Sequence, residues 1–337
     1  MQRLVRSLTA ALLVLVAVGL LFEGQLVPEV VAKRGGKDKG VQGEIVGGSV
    51  APGRDYPFMA IVETDTMFCG GTLIDANSVL TAGHCVSDEM GRVIAPGAFY
   101  ISIGISNSDL DKIPQSHQFS AITVDRHPGY NYITLNNDAA VLTLDRPVDP
   151  SIATPVKIAP AGATQYDVAG TGVVAAGWGV TAEWEWDIVS ELRHVDLAIS
   201  SKEACRQAYP ADYNADTMVC ASLPQKDSCY GDSGGPLLFR TQVGTTTVTE
   251  SAGGGQHDKH KKKKGKKGKK GKKGKKGKKN GGNERAGTRS YEAPVYDYVQ
   301  VGIVSNGAAC AVPLFPGVYT RLSSSSINGF ITTMAAK

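Results

Sequence analysis

Apolar residues along this chain fall in short runs rather than long stripes. Most runs are rich in Val, Ile and Thr and are cut by Gly, Pro, Asn and Asp, and few stretches carry a helical period. β-Branched residues suit a pleated, half-buried surface, so the pattern predicts an all-β chain of many short strands. Ala139 to Leu144 is one such run, entered through Asn136, Asn137 and Asp138. A carboxylate set against so apolar a strand is expected to be buried and to need a partner. One run differs. Leu8 to Phe22 follows Arg3 and Arg6 and stays largely apolar for fifteen residues. That is long for the apolar core of a signal and short for a membrane span, and it predicts a secretory signal peptide over residues 1–22, with a signal anchor as the alternative. Small residues at Ala17 and Gly19, and again at Val30 and Ala32, leave its cleavage point open. Export to an extracellular, oxidising compartment would pair the six cysteines, for which sequence alone allows fifteen connectivities.

At 337 residues the chain can hold one large or two medium domains. Residues 23–44 end in a polar, Gly-rich stretch from Lys33 to Glu44 and read as a pro-segment. The net charge of +4 conceals an uneven distribution, because residues 259–279 hold fifteen lysines. Without them 21 basic residues face 32 acidic ones, so an acidic body carries one strongly cationic segment. Within it Gly-Lys-Lys repeats five times from Gly265 to Lys279. Like charges repel, glycine adds chain entropy and nothing apolar is present to bury. Residues 241–296 are therefore expected to be a disordered insertion. The repeat has no proline, which argues against a collagen-like helix. Asp109 with Asp111, and His257 with His260, read as solvated polar residues. No metal or cofactor is expected.

Three stretches carry chemistry. Asp227-Ser228-Cys229-Tyr230-Gly231-Asp232-Ser233-Gly234-Gly235-Pro236 sets a serine on a glycine-rich turn. A hydroxyl is a poor nucleophile unless a base takes its proton and a third group orients that base. Thr81-Ala82-Gly83-His84-Cys85 offers the base, and Asp138 offers the orienting group. Together, in the order His, Asp, Ser, these stretches resemble the trypsin/chymotrypsin-type serine peptidases over roughly residues 45–335, one large insertion apart.

The resemblance implies two packed six-stranded antiparallel β-barrels, about 45–155 and 165–337, with a short C-terminal helix. Residues 145–165 would connect them. It implies His84 as general base and acid, Asp138 as its orienting partner, Ser233 as nucleophile and the Gly231 and Ser233 amides as oxyanion hole. It selects the pairings Cys69–Cys85, Cys205–Cys220 and Cys229–Cys310. Ile45-Val46-Gly47-Gly48 resembles the family's mature N-terminus, whose freed α-amino group would pair with Asp232. Many relatives are activated after Lys or Arg. Here Glu44 precedes Ile45, so a glutamate-tolerant activating protease is expected.

Asp227 stands where relatives place the carboxylate at the base of the primary specificity pocket, and Gly307 and Gly317 match its thin walls. The set implies cleavage after Lys or Arg. Ser305, Asn306 and Gly307 would pair with the substrate as an added strand. Relatives often carry Trp where Asn306 stands. Losing that apolar shelf predicts weaker preference beyond the residue before the scissile bond. The expected product is a secreted, monomeric endopeptidase acting on proteins or peptides. The alternative is a catalytically weak relative that binds an anionic polymer or surface through residues 259–279.

Overall fold

The computed structural model describes residues 46–52, 55–109, 112–180, 188–251 and 288–336. The expected signal peptide, the pro-segment and Ile45 lie outside the described residues, as do Asp111, His257, His260 and the lysine tract.

Among the described residues the strands build two closed rings. In the first, β2 (Met59–Thr64), β3 (Met67–Leu73), β4 (Ser78–Thr81), β7 (Ala140–Leu144), β6 (Gln118–Arg126) and β5 (Tyr100–Ile103) close in that order. Its interior follows from sequence alternation. Along β6, Phe119 and Ala121 are buried while Gln118, Ser120 and Ile122 are exposed, the period of two that a pleated strand imposes. β2 is apolar from Met59 to Val62 and β7 at every position but Thr143, and both are buried almost throughout.

In the second ring β9 (Gly172–Gly177) pairs with β10 (Arg193–Ile199), which pairs with β11 (Met218–Ser222). The ring continues through β14 (Gly317–Arg321), β13 (Thr288–Asn306) and β12 (Pro236–Ser251), which returns to β9. β1 (Ser49–Val50) extends β10, and β8 (Lys157–Ile158) runs parallel to β13. The short helix α1 (Lys202–Ala208) is capped by the Ser201 hydroxyl, which accepts from Ala204 N. The C-terminal helix α2 (Ser325–Ala335) buries Ile327 and Ile331, and its Asn328 amide donates to Ala159 O at 2.8 Å. No helix among the described residues is long and apolar enough to cross a membrane.

One boundary is corrected. The sequence predicts disorder from 241 to 296, yet β12 and β13 run on as a two-stranded ribbon, paired from Pro236–Ile303 to Ser251–Thr288. The cause is local composition. Thr241, Val243, Thr245, Thr246, Thr247 and Val248 are β-branched, and the ribbon sets this arm against Pro294, Ala293, Glu292 and Tyr291. Thr247 Oγ1 donates to Glu292 Oε1 at 2.8 Å. Residues 252–287 lie outside the described residues.

Candidate active site

Two strand ends meet on the first barrel. Thr81, the last residue of β4, pairs with Ala140, the first of β7. His84 lies three residues beyond that strand end, in a turn whose Cys85 is bridged to Cys69 on β3. Asp138 lies two residues before β7 and is fully buried. One of its oxygens, Oδ1, accepts from His84 N at 2.8 Å. The other, Oδ2, accepts from His84 Nδ1 at 2.8 Å and from Ser305 Oγ at 2.6 Å. Thr320 Oγ1, on the second barrel, donates to the Asp138 carbonyl at 2.7 Å.

A carboxylate ringed by donors cannot supply a proton, so His84 carries its hydrogen on Nδ1 and leaves Nε2 as the basic nitrogen. Burial alone would lower the His84 pKa, but the Asp138 charge and hydrogen bond prevail and hold it above the ordinary imidazole value. Burial likewise pushes Asp138 up. The His84 charge and the bonds from His84 and Ser305 outweigh it, so Asp138 stays below the ordinary carboxylate range.

The serine loop docks against the same strand end. Gly234 has φ +78°, and a Cβ there would lie 2.2 Å from Thr81 Oγ1 and 2.4 Å from Gly70 O, so no side chain fits. Ser233 O accepts from Gly70 N at 2.7 Å, and Gly234 N donates to Val304 O at 2.9 Å, which stitches the loop to both barrels. His84 Nε2 has Cys85 Sγ at 3.6 Å and no hydrogen bond from Ser233 among the described residues. Nucleophile–base contacts commonly tighten only once substrate is bound.

Beside the serine, Asp232 accepts from Gly179 N and Cys229 N, each at 2.8 Å. Burial pushes it up to about 6, against those two backbone bonds. No cation among the described residues pairs with it. Val46, the residue after Ile45, accepts from Asp227 N at 3.2 Å, which brings the start of the described chain to the base of the pocket.

That pocket is a cavity of about 210 Å³ lined by Asp227, Ser233, Ser305, Asn306, Gly307 and Gly317 among others. Asp227 is 2% exposed. Its Oδ2 accepts from Ala311 N at 3.1 Å, whereas Oδ1 has no partner among the described residues. Burial pushes this carboxyl up to about 7. A Cβ on Gly317 would sit 2.6 Å from Asp227 Oδ1. A Cβ on Gly307 would meet nothing closer than 3.9 Å, so that glycine keeps space open rather than relieving a clash. The bridge Cys229–Cys310 ties the serine loop to the far wall, and Cys205–Cys220 joins α1 to β11. A cavity of about 940 Å³ lies under the ribbon, but its Lys157–Asp297 and Arg240–Asp196 pairs already satisfy one another.

The structure adds residues that spacing could not suggest. The sequence assigns Ser305 only to pairing with substrate, yet its hydroxyl grips Asp138. Thr320 holds the Asp138 carbonyl, and Asn136 Oδ1 accepts from Asn214 Nδ2 at 3.0 Å and Thr217 Oγ1 at 2.7 Å across the barrels. Ser305, Thr320, Asn214 and Thr217 lie far from Asp138 in sequence, and nothing in their own neighbourhoods marks them. Cys69, His84 and Cys85 bring ligand-type atoms together, but the two sulfurs are joined as a disulfide and offer no thiolate to a metal.

A family model described as trypsin matches residues 45–262. Trypsin II-P29 of Gallus gallus is 32% identical over 63% of this chain and 80% of its own length. A trypsin of Saccharopolyspora erythraea is 34% identical over 61% of this chain and 87% of its own. The proclotting enzyme of Tachypleus tridentatus is 30% identical over 83% of this chain and 63% of its own.

Proposed function

The chain belongs to the trypsin family and is a serine endopeptidase, and we propose that it hydrolyses peptide bonds after Lys or Arg with Ser233, His84 and Asp138. The observation that carries the specificity is the unpartnered, buried Asp227 Oδ1 at the base of the cavity that Ser233 also lines. An orphaned anionic acceptor is costly unless a ligand supplies the donor. A Lys ammonium or Arg guanidinium does so, while an apolar side chain would leave the charge bare.

In this reading His84 Nε2 takes the Ser233 proton as Oγ attacks the scissile carbonyl. The developing oxyanion would lie against the Gly231 and Ser233 amides. The proton then passes to the leaving amine, which departs with the C-terminal fragment. Water repeats the sequence on the acyl-enzyme and frees the acid. Ser305, Asn306 and Gly307 would pair with the substrate backbone. Buried Asp232, without a cation among the described residues, supports activation by cleavage between Glu44 and Ile45, the new ammonium neutralising it. The apolar run at 8–22 and the three disulfides support export.

The test uses protein forced to begin at Ile45, peptides differing only in the residue before the scissile bond, and a Ser233→Ala control. Cleavage after Lys and Arg, lost in the control and in protein retaining Gly43-Glu44, is the expected result. Equal rates after Leu or Glu, or full activity with Glu44 attached, would defeat the reading.

The lysine tract is then the enzyme's own most abundant substrate sequence. Cleavage there would not part the chain, because Cys229–Cys310 and the β12–β13 ladder span the insertion. Long-incubated active enzyme is expected to run as one band unreduced and two bands reduced, and a variant lacking residues 259–279 as one band in both. The same deletion should remove salt-sensitive retention on an anionic resin, the sign of an anionic-polymer partner. A single reduced band from the full chain would dismiss the nick. Retention unchanged by the deletion would dismiss the partner.

A further inference from the structure

Asp138 reaches the site on a loop, residues 127–139, whose neck is closed by His127 N donating to Ala139 O at 2.9 Å. Leu135 and Asn137 in this loop hold φ of +52° and +55°. Side chains other than glycine are disfavoured there, so the loop keeps its shape only while its surroundings hold it. Asn136 provides one anchor on the second barrel. Asn137 provides a second brace within the loop itself, its Nδ2 donating to Gly129 O at 2.9 Å.

The third anchor is the His127 ring, which is 7% exposed. Nδ1 accepts from Gly129 N at 3.1 Å. The hydrogen of the neutral ring therefore sits on Nε2, which donates to Ser326 Oγ on α2 at 3.1 Å. The ring stands edge-on to Phe330 of the same helix, centroids 5.0 Å apart. One tautomer of one imidazole thus satisfies both the loop and the helix.

The cavity beside the ring is lined by Asp125 and Arg126 of β6 and by Ser326, Phe330, Thr333 and Met334 of α2, and Tyr130 N donates to the His127 carbonyl at 2.9 Å. Arg126 is engaged with Ser87 Oγ at 2.6 Å and Gly91 O at 2.8 Å, on the loop that follows His84. Burial holds His127 below the ordinary imidazole pKa. Protonation would turn Nδ1 from acceptor to donor and set N–H against N–H at Gly129.

We propose that His127 is a positioning residue for the reaction: its ring clamps the loop that delivers Asp138 onto the C-terminal helix, and so sets the Asp138–His84 geometry. This rests on the reading of Asp138 as the partner of His84. Three variants separate positioning from bulk stability. His127→Asn keeps an acceptor near Nδ1, His127→Gln keeps a polar group near Nε2 but loses the acceptor, and His127→Ala loses both. With the folded fraction measured by active-site titration, kcat for an Arg peptide is expected to fall about tenfold in the Gln and Ala variants, with KM nearly unchanged. The Asn variant should recover to within about threefold of wild type. Amide exchange over residues 129–137 should quicken in the Gln and Ala variants alone. Taken relative to the intrinsic exchange rate at each pH, protection of these amides should fall in wild type as pH falls, and in the Asn variant it should not. Equal exchange in wild type and His127→Gln overturns the proposal whether or not the enzyme turns over. An Asn variant as slow as the Ala variant overturns it too. Absence of any Lys or Arg cleavage in wild type would instead strike at the Ser233 reading.

Discussion

Replacing Asp138 by Asn is expected to lower kcat for an Arg peptide by about 10⁴-fold while KM changes little. The carboxylate receives three hydrogen bonds, from His84 N, His84 Nδ1 and Ser305 Oγ. An amide has one accepting atom and one donating group. Whichever way the substituted side chain turned, a donor would face a donor. If its NH2 lay toward His84 Nδ1, the imidazole could relieve the clash only by moving its hydrogen to Nε2. It would then present N–H to Ser233 and could not take the hydroxyl proton. The acid limb of the pH profile gives a second reading. Asp138 holds the His84 pKa above its ordinary value, against burial, which lowers it. His84 must be neutral to act as a base, so wild-type activity falls as pH drops through that raised pKa. Without the Asp138 charge only burial remains, and the limb should move to lower pH. A variant that keeps kcat within about tenfold of wild type, or whose acid limb stays in place, would remove Asp138 from the chemistry.

The same cluster shows what could be read from the chain and what could not. The two rings follow from short β-branched runs, and the resemblance supplied the ring count. The His84 and Asp138 stretches are visible because each joins a strand end to unusual chemistry. Ser305 Oγ, Thr320 Oγ1 and His127 are not visible. Their roles depend on which strand lies beside which, and β13, β14 and α2 reach Asp138 or its loop only through long-range pairing. The ribbon escapes the sequence reading for another reason. A stretch of chain takes its average charge from its most charged part, so the lysines mask the threonine- and valine-rich arms that flank them. Local windows shorter than the insertion separate the two.

Asp227→Asn is expected to do two opposite things, and the opposition is the sharper test. Toward activity, on the proposed reading, it removes the anion that would receive the substrate's cation, and kcat/KM for Lys and Arg peptides should fall by roughly 10³-fold or more. In wild type the KM for those peptides should climb as pH falls below about 7, because Asp227 in the free enzyme takes up a proton in that range. A bound ammonium or guanidinium favours the ionised form, so the complex should titrate lower. Peptides with a neutral residue at that position should show no such rise, nor should the variant with any peptide. Toward stability the sign reverses. The carboxyl is raised from 3.8 to about 7 by burial, so its folding contribution is intact below pH 3.8 and is lost progressively as pH rises through 7. Above that the empty pocket carries a penalty on the order of a few kcal/mol, which Asn, neutral at every pH, does not carry. The variant should melt several degrees above wild type at about pH 8, and the gap should close toward about pH 4. A variant that keeps its Lys and Arg preference would show that the pocket reads something else. One that loses the preference without gaining that stability would show that Oδ1 is satisfied in solution by a partner such as water. The expected combination would mean that the free enzyme bears the cost of a charge that only its substrate relieves, and that this cost is the source of its selectivity.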